Sequence, residues 1–207
     1  MTNPPDLYNQ ILKKSFDLFK VYGHKSVSMD DVASTLHISK KTLYQYFQSK
    51  DELLAAGVMQ LIKTLMDDFD RIMNSAEKPL IKLSKIYWLI LDEFYNMELV
   101  HIYSINKFNS KALEEIVTFR NKLYSQFTAP LLSEAMNQGG LRKDLNIALF
   151  VKTRLTNIDQ HYLNLAGQSP NLSFNEIFKH LVVYQMLGVI SEKYRKEYEE
   201  KMDSWIA

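Results

Sequence analysis

The sequence predicts an all-α protein, with an N-terminal three-helix unit holding a helix-turn-helix and a larger helical body behind it. Three observations carry this. Apolar residues recur at helical spacing through most of the 207 residues. No stretch alternates apolar and polar residues as a half-buried strand does. Capping patterns, a serine with an acidic residue three positions on, mark helix starts at Ser28, Ser49 and Ser173.

Leu7, Ile11, Leu12, Ser15, Phe16, Phe19 and Tyr22 predict a first amphipathic helix over residues 6–22, with Gly23 as its C-terminal stop. Ser28 opens a second, with Asp31 in the capping position and Val32, Ala33 and Leu36 turned inward. Ser39 is placed to cap a third, short helix whose inward stripe is Leu43 and Phe47. About fifty residues bury little core alone, so this unit is expected to lean on a fourth helix over residues 50–73. Pro79 begins the next, with Leu80, Leu83, Tyr87, Leu91 and Phe94 as its apolar stripe. A shorter piece is expected over 99–108, then a long helix over 111–137 that Pro130 should kink or split, closed by Gly139-Gly140. Two long helices, 146–165 and 173–198, complete the expectation, joined by a loop over 166–171. The domain boundary is placed at residue 50, giving 1–50 and 51–207.

Composition narrows the function classes. The chain has 46% hydrophobic and 24% charged residues, an ordinary globular balance. It has no cysteine, which removes disulfides, thiol catalysis and cysteine–zinc sites and suits a reducing cytoplasm. No segment has the apolar length of a signal peptide or membrane helix. The net charge is only +1, yet residues 1–50 hold seven Lys against four Asp, so +3 sits there and −2 on the remainder. The five histidines are scattered, without metal-ligand spacing. No nucleophile elbow, phosphate-binding glycine loop or dinucleotide fingerprint occurs, so neither a cofactor, a metal nor catalysis is expected.

With Leu43 and Phe47 buried, a 100° step per residue points Lys41 and Gln45 away from the core and sets Thr42 and Tyr44 on the flanks. Gln can hydrogen-bond adenine, and Lys can reach guanine or a phosphate. Lys50 opens a serine-capped helix, where free N–H groups and a positive side chain suit a phosphate. Ser28 opens another, and for it a plain cap is an equal reading.

Thr42-Leu43-Tyr44-Gln45-Tyr46-Phe47-Gln48-Ser49-Lys50-Asp51-Glu52-Leu53 resembles the signature of the TetR-type (tetracycline-repressor-like) transcriptional regulators. Ile11, Phe16, Phe19, Gly23, Val27, Ser28, Val32, Ala33, Leu36 and Ile38 also fit, so the resemblance covers residues 7–54. Two positions depart from it. His37 stands where the family usually has Gly in the turn before the recognition helix, and histidine tolerates a left-handed backbone. Lys41 replaces a small residue, which should change the sequence read.

The resemblance implies a dimer that binds operator DNA and responds to a small molecule held by the body. The expected DNA contacts are Ser28, Lys40, Lys41, Thr42, Tyr44, Gln45, Tyr46 and Lys50. Lys40 lies on the inner side by angle but at the first turn can reach a phosphate, and Tyr46, also near the core by angle, is given a backbone contact by the resemblance. Tyr87, Phe94, Tyr103, Phe119, Arg154, Asp159, His161 and Tyr162 are candidates for an apolar or aromatic effector's pocket, against the plainer reading that the aromatics are core and the polar groups surface. Leu155, Ile158, Tyr162, Leu181, Tyr184, Leu187 and Gly188 are candidates for a four-helix dimer contact, where a mid-helix Gly188 would let a second helix approach. The competing function is an all-α small-molecule-binding protein whose head makes protein contacts; specific retention of DNA distinguishes the two.

Overall fold

Helix α1 (Pro4–Tyr22) buries Ile11, Leu12, Ser15 and Phe19 on one stripe. The Ser15 hydroxyl donates to the Ile11 carbonyl at 2.6 Å, which lets a polar group sit in the core. Gly23 ends the helix at φ 82°, its N–H on the Phe19 carbonyl at 3.0 Å. Helices α2 (Met29–Thr35), α3 (Lys40–Tyr46) and α4 (Lys50–Met73) follow as expected. This computed structural model describes residues 4–95, 110–155 and 172–206. The chain divides into two units: 1–64 with 96–119, and 65–95 with 120–207.

In the first unit, Ile11, Phe19, Val27, Val32, Ala33, Leu43 and Phe47 form one core with Leu53, Leu54, Ala55 and Val58 of α4. The expected reliance on α4 is therefore met. Ala112, with Ile116 half-buried, comes in from the helix Ser110–Lys122, which local pattern did not announce. Gly57 admits the Phe16 ring: a Cβ there would lie 2.6 Å from it.

The turn between α2 and α3 is a Schellman motif. Ile38 N–H reaches the Ala33 carbonyl at 3.0 Å and His37 N–H the Ser34 carbonyl at 3.1 Å, with Leu36 as C-cap. His37 occupies the left-handed position at φ 55°, as its place in the turn required.

In the second unit α5 (Pro79–Tyr95) is central, packing against the helices Ala129–Asn137, Phe174–Phe178 and Glu192–Ile206. Leu80, Leu83, Tyr87 and Leu91 are buried as expected. Phe69 and Phe127 meet edge to face at 5.3 Å. Trp88 contacts Phe174, Phe178 and Trp205 at 4.5–4.8 Å between ring centres, fastening the C-terminal helix. The Tyr198 hydroxyl meets Ser84 Oγ at 2.6 Å; since Ser84 donates to Leu80 O, Tyr198 is the donor.

Pro130 acts through the turn before it. Residues Leu123–Thr128 are π-helical and the Ala129 N–H bonds back to Tyr124 O, so the widened turn accommodates the ring and the missing donor. The long helix is thereby split in character rather than stopped. Gly139, at φ 73°, ends it.

The expected single helix over 173–198 is a correction. It runs as Phe174–Phe178, a π-helical Lys179–Val183 and Tyr184–Leu187, then breaks before Glu192–Ile206. Gly188 is a C-cap, not a mid-helix residue, so close helix approach is not needed to explain it. Beyond the cap, Ile190 bridges to Leu141, with Arg142 N–H on Val189 O at 2.9 Å and Ser191 N–H on Gly140 O at 2.9 Å. That pairing uses extended backbone, which a continuous helix cannot supply. The helix over 146–165 starts as Ile147–Phe150 and a π-helical Val151–Leu155. Its remainder, the expected piece over 99–108 and the loop over 166–171 lie outside the described residues.

His37→Gly should raise the unfolding free energy by about 0.5–1 kcal/mol, because removing the left-handed cost of an L-residue outweighs glycine's extra chain entropy. Urea titration measures it; His37→Val should shift the midpoint the other way.

Candidate nucleic-acid interface

The start of α2 is held by Ser28 and Asp31. Asp31 N–H donates to Ser28 Oγ at 3.2 Å, while Ser28 N–H and its hydroxyl donate to Asp31 Oδ2 at 2.8 and 2.6 Å. Those bonds hold the Asp31 carboxyl below the usual carboxylate range. Both Ser28 protons are thus engaged, and a phosphate only accepts. A phosphate contact at Ser28 would have to draw the hydroxyl away from Asp31.

Ser39 caps α3: its Oγ accepts from Thr42 N–H at 3.0 Å and lies 2.8 Å from Thr42 Oγ1. A seven-residue helix gains little from its own hydrogen bonds. Burial of Leu43 and Phe47, roughly 1.5–3 kcal/mol each, is what fixes its rotation. The outer face then carries Lys41, Tyr44 and Gln45 exposed, with Thr42 and Tyr46 half-buried. Gln48 Nε2 donates to Tyr44 O at 3.1 Å and closes the C-terminal end.

Lys40 is exposed rather than turned inward, and its ammonium lies 2.5 Å from Asp30 Oδ2. With both side chains more than half exposed, that pair contributes on the order of 0–1 kcal/mol and yields readily to a phosphate. The capping box at α4 is displaced by one residue. Ser49 Oγ accepts from Glu52 N–H at 3.1 Å, but Glu52 Oε2 accepts from Gln48 N–H at 2.8 Å instead of Ser49 N–H.

Lys50 has a role that local pattern could not show. Its ammonium donates to Val27 O at 2.9 Å and, more weakly, to Lys25 O at 3.4 Å. The residue expected to meet phosphate therefore also ties the loop before α2 to the start of α4. One ammonium proton remains for a further acceptor.

His24, part of the same loop, is buried at 8% exposure with its ring edge-on to Phe19 at 5.4 Å. Its Nε2 lies 3.1 Å from Asp51 Oδ1 but makes no aligned hydrogen bond. Burial, then the Lys50 charge, lowers its pKa from 6.5, with Asp51 opposing. Its position, 27 residues before Asp51, left no sequence signal.

The effector and dimer candidates are less assembled. Tyr87 is 2% exposed, its hydroxyl 3.1 Å from Thr128 Oγ1, which is the behaviour of a core tyrosine. Phe119 is buried in the first unit. The side chains of Phe94, Arg154 and Leu155, and residues Tyr103, Ile158, Asp159, His161 and Tyr162, lie outside the described residues. Leu181 and Leu187 are half-exposed, Tyr184 is 50% exposed and Gly188 is exposed, all one face opposite buried Val182, Val183 and Met186. Among the described residues there is no cluster of three metal-ligating side chains and no helix long and apolar enough to cross a membrane.

A histidine kept neutral by burial makes stability depend on pH. The unfolded chain takes up a proton near 6.5 and the folded chain only lower, so His24's stabilisation is full above 6.5 and is lost as pH falls from there through the lower folded value. Urea unfolding across this range should show the loss, and His24→Phe should flatten that part of the profile.

Comparison with known proteins places this geometry. Residues 11–56 match the family model of bacterial regulatory proteins, tetR family. The HTH-type transcriptional regulator YvaF of Bacillus subtilis, itself uncharacterised, is 31% identical over 186 residues, 89% of this chain and 96% of YvaF. The HTH-type transcriptional repressor KstR2 of Mycolicibacterium smegmatis is 24% identical over 153 residues, 72% of this chain and 74% of KstR2. In fold, the chain is similar to a transcriptional regulator from Saccharomonospora viridis in complex with choline: TM-score 0.77, 19% identity, 91% of this chain and 100% of that one. With the matched segment spanning the two capped helices and the outward face of α3, the chain belongs to the tetR family and is a DNA-binding transcriptional regulator, not an enzyme.

Proposed function

We propose that the protein is a ligand-responsive repressor that binds a palindromic operator as a homodimer, and that α3 is its recognition helix. The observation that carries this is the outer face of α3, where Lys41, Tyr44 and Gln45 stay exposed on a helix whose rotation Leu43 and Phe47 fix. Lys41 and Gln45 meet base edges, Thr42 and Tyr44 bases or the adjoining backbone, and Lys40, Tyr46 and Lys50 the phosphates. The DNA-binding domain is taken as residues 1–50 and the effector and dimer domain as 51–207.

A dimer follows from what one head can read. A single seven-residue helix samples too few bases to select one site in a genome, and two heads read half-sites about 34–36 Å apart or a multiple of it. The outward face of Leu181, Tyr184 and Leu187 supports a contact between copies there. Repression is supported by the relative KstR2, which is named a repressor. The effector is taken to be a small apolar or aromatic molecule bound by the larger domain. It acts by favouring the dimer conformation in which the heads are wrongly spaced for neighbouring grooves. The protein works in the cytoplasm, where its DNA is.

Gln45→Ala should cost about 1–3 kcal/mol on the selected operator and far less on a scrambled duplex. Lys50→Ala should weaken both alike and flatten the salt dependence by about one phosphate's worth. Anisotropy titrations at several salt concentrations separate them, and equal losses for both variants on both duplexes would discard the division of roles. Tyr184→Glu should shift the protein to monomer in sedimentation and remove operator binding while the N-terminal helices remain folded.

A further inference from the structure

Tyr8, about one turn into α1, stands against the C-terminal end of α3. Its ring stacks on Phe47 at 5.2 Å and 26° and tilts against Tyr46 at 6.4 Å. Phe47 beneath it is only 2% exposed, whereas Tyr8 is 39% exposed. Covering Phe47 needs a ring and no hydroxyl. Yet neither the Tyr8 nor the Tyr46 hydroxyl bonds to any group among the described residues. The buried phenols behave differently: Tyr87 pairs with Thr128 and Tyr198 with Ser84. Two phenols therefore sit side by side at one end of α3, each with a proton to give, beside the exposed Tyr44, Gln45 and Gln48.

Phosphate oxygens accept and never donate, and tyrosine hydroxyls are among the neutral donors that meet them. We propose that Tyr8 is a DNA-backbone contact which, with Tyr46, forms a pair of hydroxyl donors to phosphates on the strand bordering the groove that α3 enters. The proposal rests on α3 being the recognition helix. It makes the first helix, so far a packing element, part of the interface, and it gives Tyr8 a part in affinity for DNA of any sequence. Because a phenol is neutral, the contact adds affinity without releasing a counterion, so it leaves the salt slope alone.

The test uses full-length Tyr8→Phe and Tyr46→Phe, with Gln45→Ala for comparison. Each is titrated against a labelled random-sequence duplex and a duplex selected by the wild-type protein, across a salt series, with a thermal melt alongside. Phenylalanine keeps both ring contacts, so the melt should be unchanged. Tyr8→Phe should bind both duplexes about 10- to 100-fold more weakly, the loss of one hydrogen bond to a charged group, at the wild-type salt slope. Wild-type affinity on both duplexes overturns the proposal. So does a loss confined to the selected duplex, or a changed slope, which would mean that a charged neighbour had moved and that Tyr8 acts by packing. If Tyr8→Phe is silent while Gln45→Ala loses the selected duplex, the recognition-helix reading stands without Tyr8. If Tyr8→Phe weakens both duplexes and Gln45→Ala neither, the hydroxyl contact stands and the base-reading role of α3 falls.

Discussion

A seven-residue helix has no business being stable, and α3 is stable only because Leu43 and Phe47 are pulled into the core shared by α1, α2 and the start of α4. That burial does more than hold the helix. With two side chains four residues apart locked inward, the rotation about the axis is set, and the face bearing Lys41, Tyr44 and Gln45 is aimed outward. A recognition surface of long polar side chains would otherwise be spread over many orientations at an entropic cost. The capping serines complete the constraint by fixing where α2, α3 and α4 begin.

The electrostatics of this unit follow from the same economy. Lys50 satisfies carbonyls of the loop that leads into α2, and its charge, after burial, lowers the pKa of His24 within that loop. Lys40 is lightly held by Asp30 at the surface, so it remains available to a competing anion. The basic excess of the first fifty residues is thus divided between charges that organise the loops and charges that face solvent. A net charge count alone does not make that distinction.

Much of this was legible in the sequence. Caps at Ser28, Ser39 and Ser173 are local in chain, and so is the stripe of Leu43 and Phe47; local patterns report them faithfully. The His37 turn was readable because only a few residue types accept its φ. What was not legible depends on partners far apart in sequence. Lys50 finding Val27, His24 lying against Asp51, and Tyr8 lying on Phe47 have no periodic signature. The break at Gly188 was missed for a related reason: the apolar period continues through it, and only the pairing of residues 189–191 with 140–142 ends the helix. Lys40 was misplaced because an angle measured on an ideal helix says little at the first turn, where the side chain meets solvent from the side.

The central claim is that Gln45 faces base edges. The most direct measurement is the base preference of the protein at every position of its site, obtained by selection from random duplexes with the wild type and with Gln45→Glu. A carboxylate accepts where the amide both donates and accepts, so adenine should give way to cytosine at one position in each half-site, symmetrically, with the other positions unchanged. An identical preference for the two proteins at all positions would contradict the account.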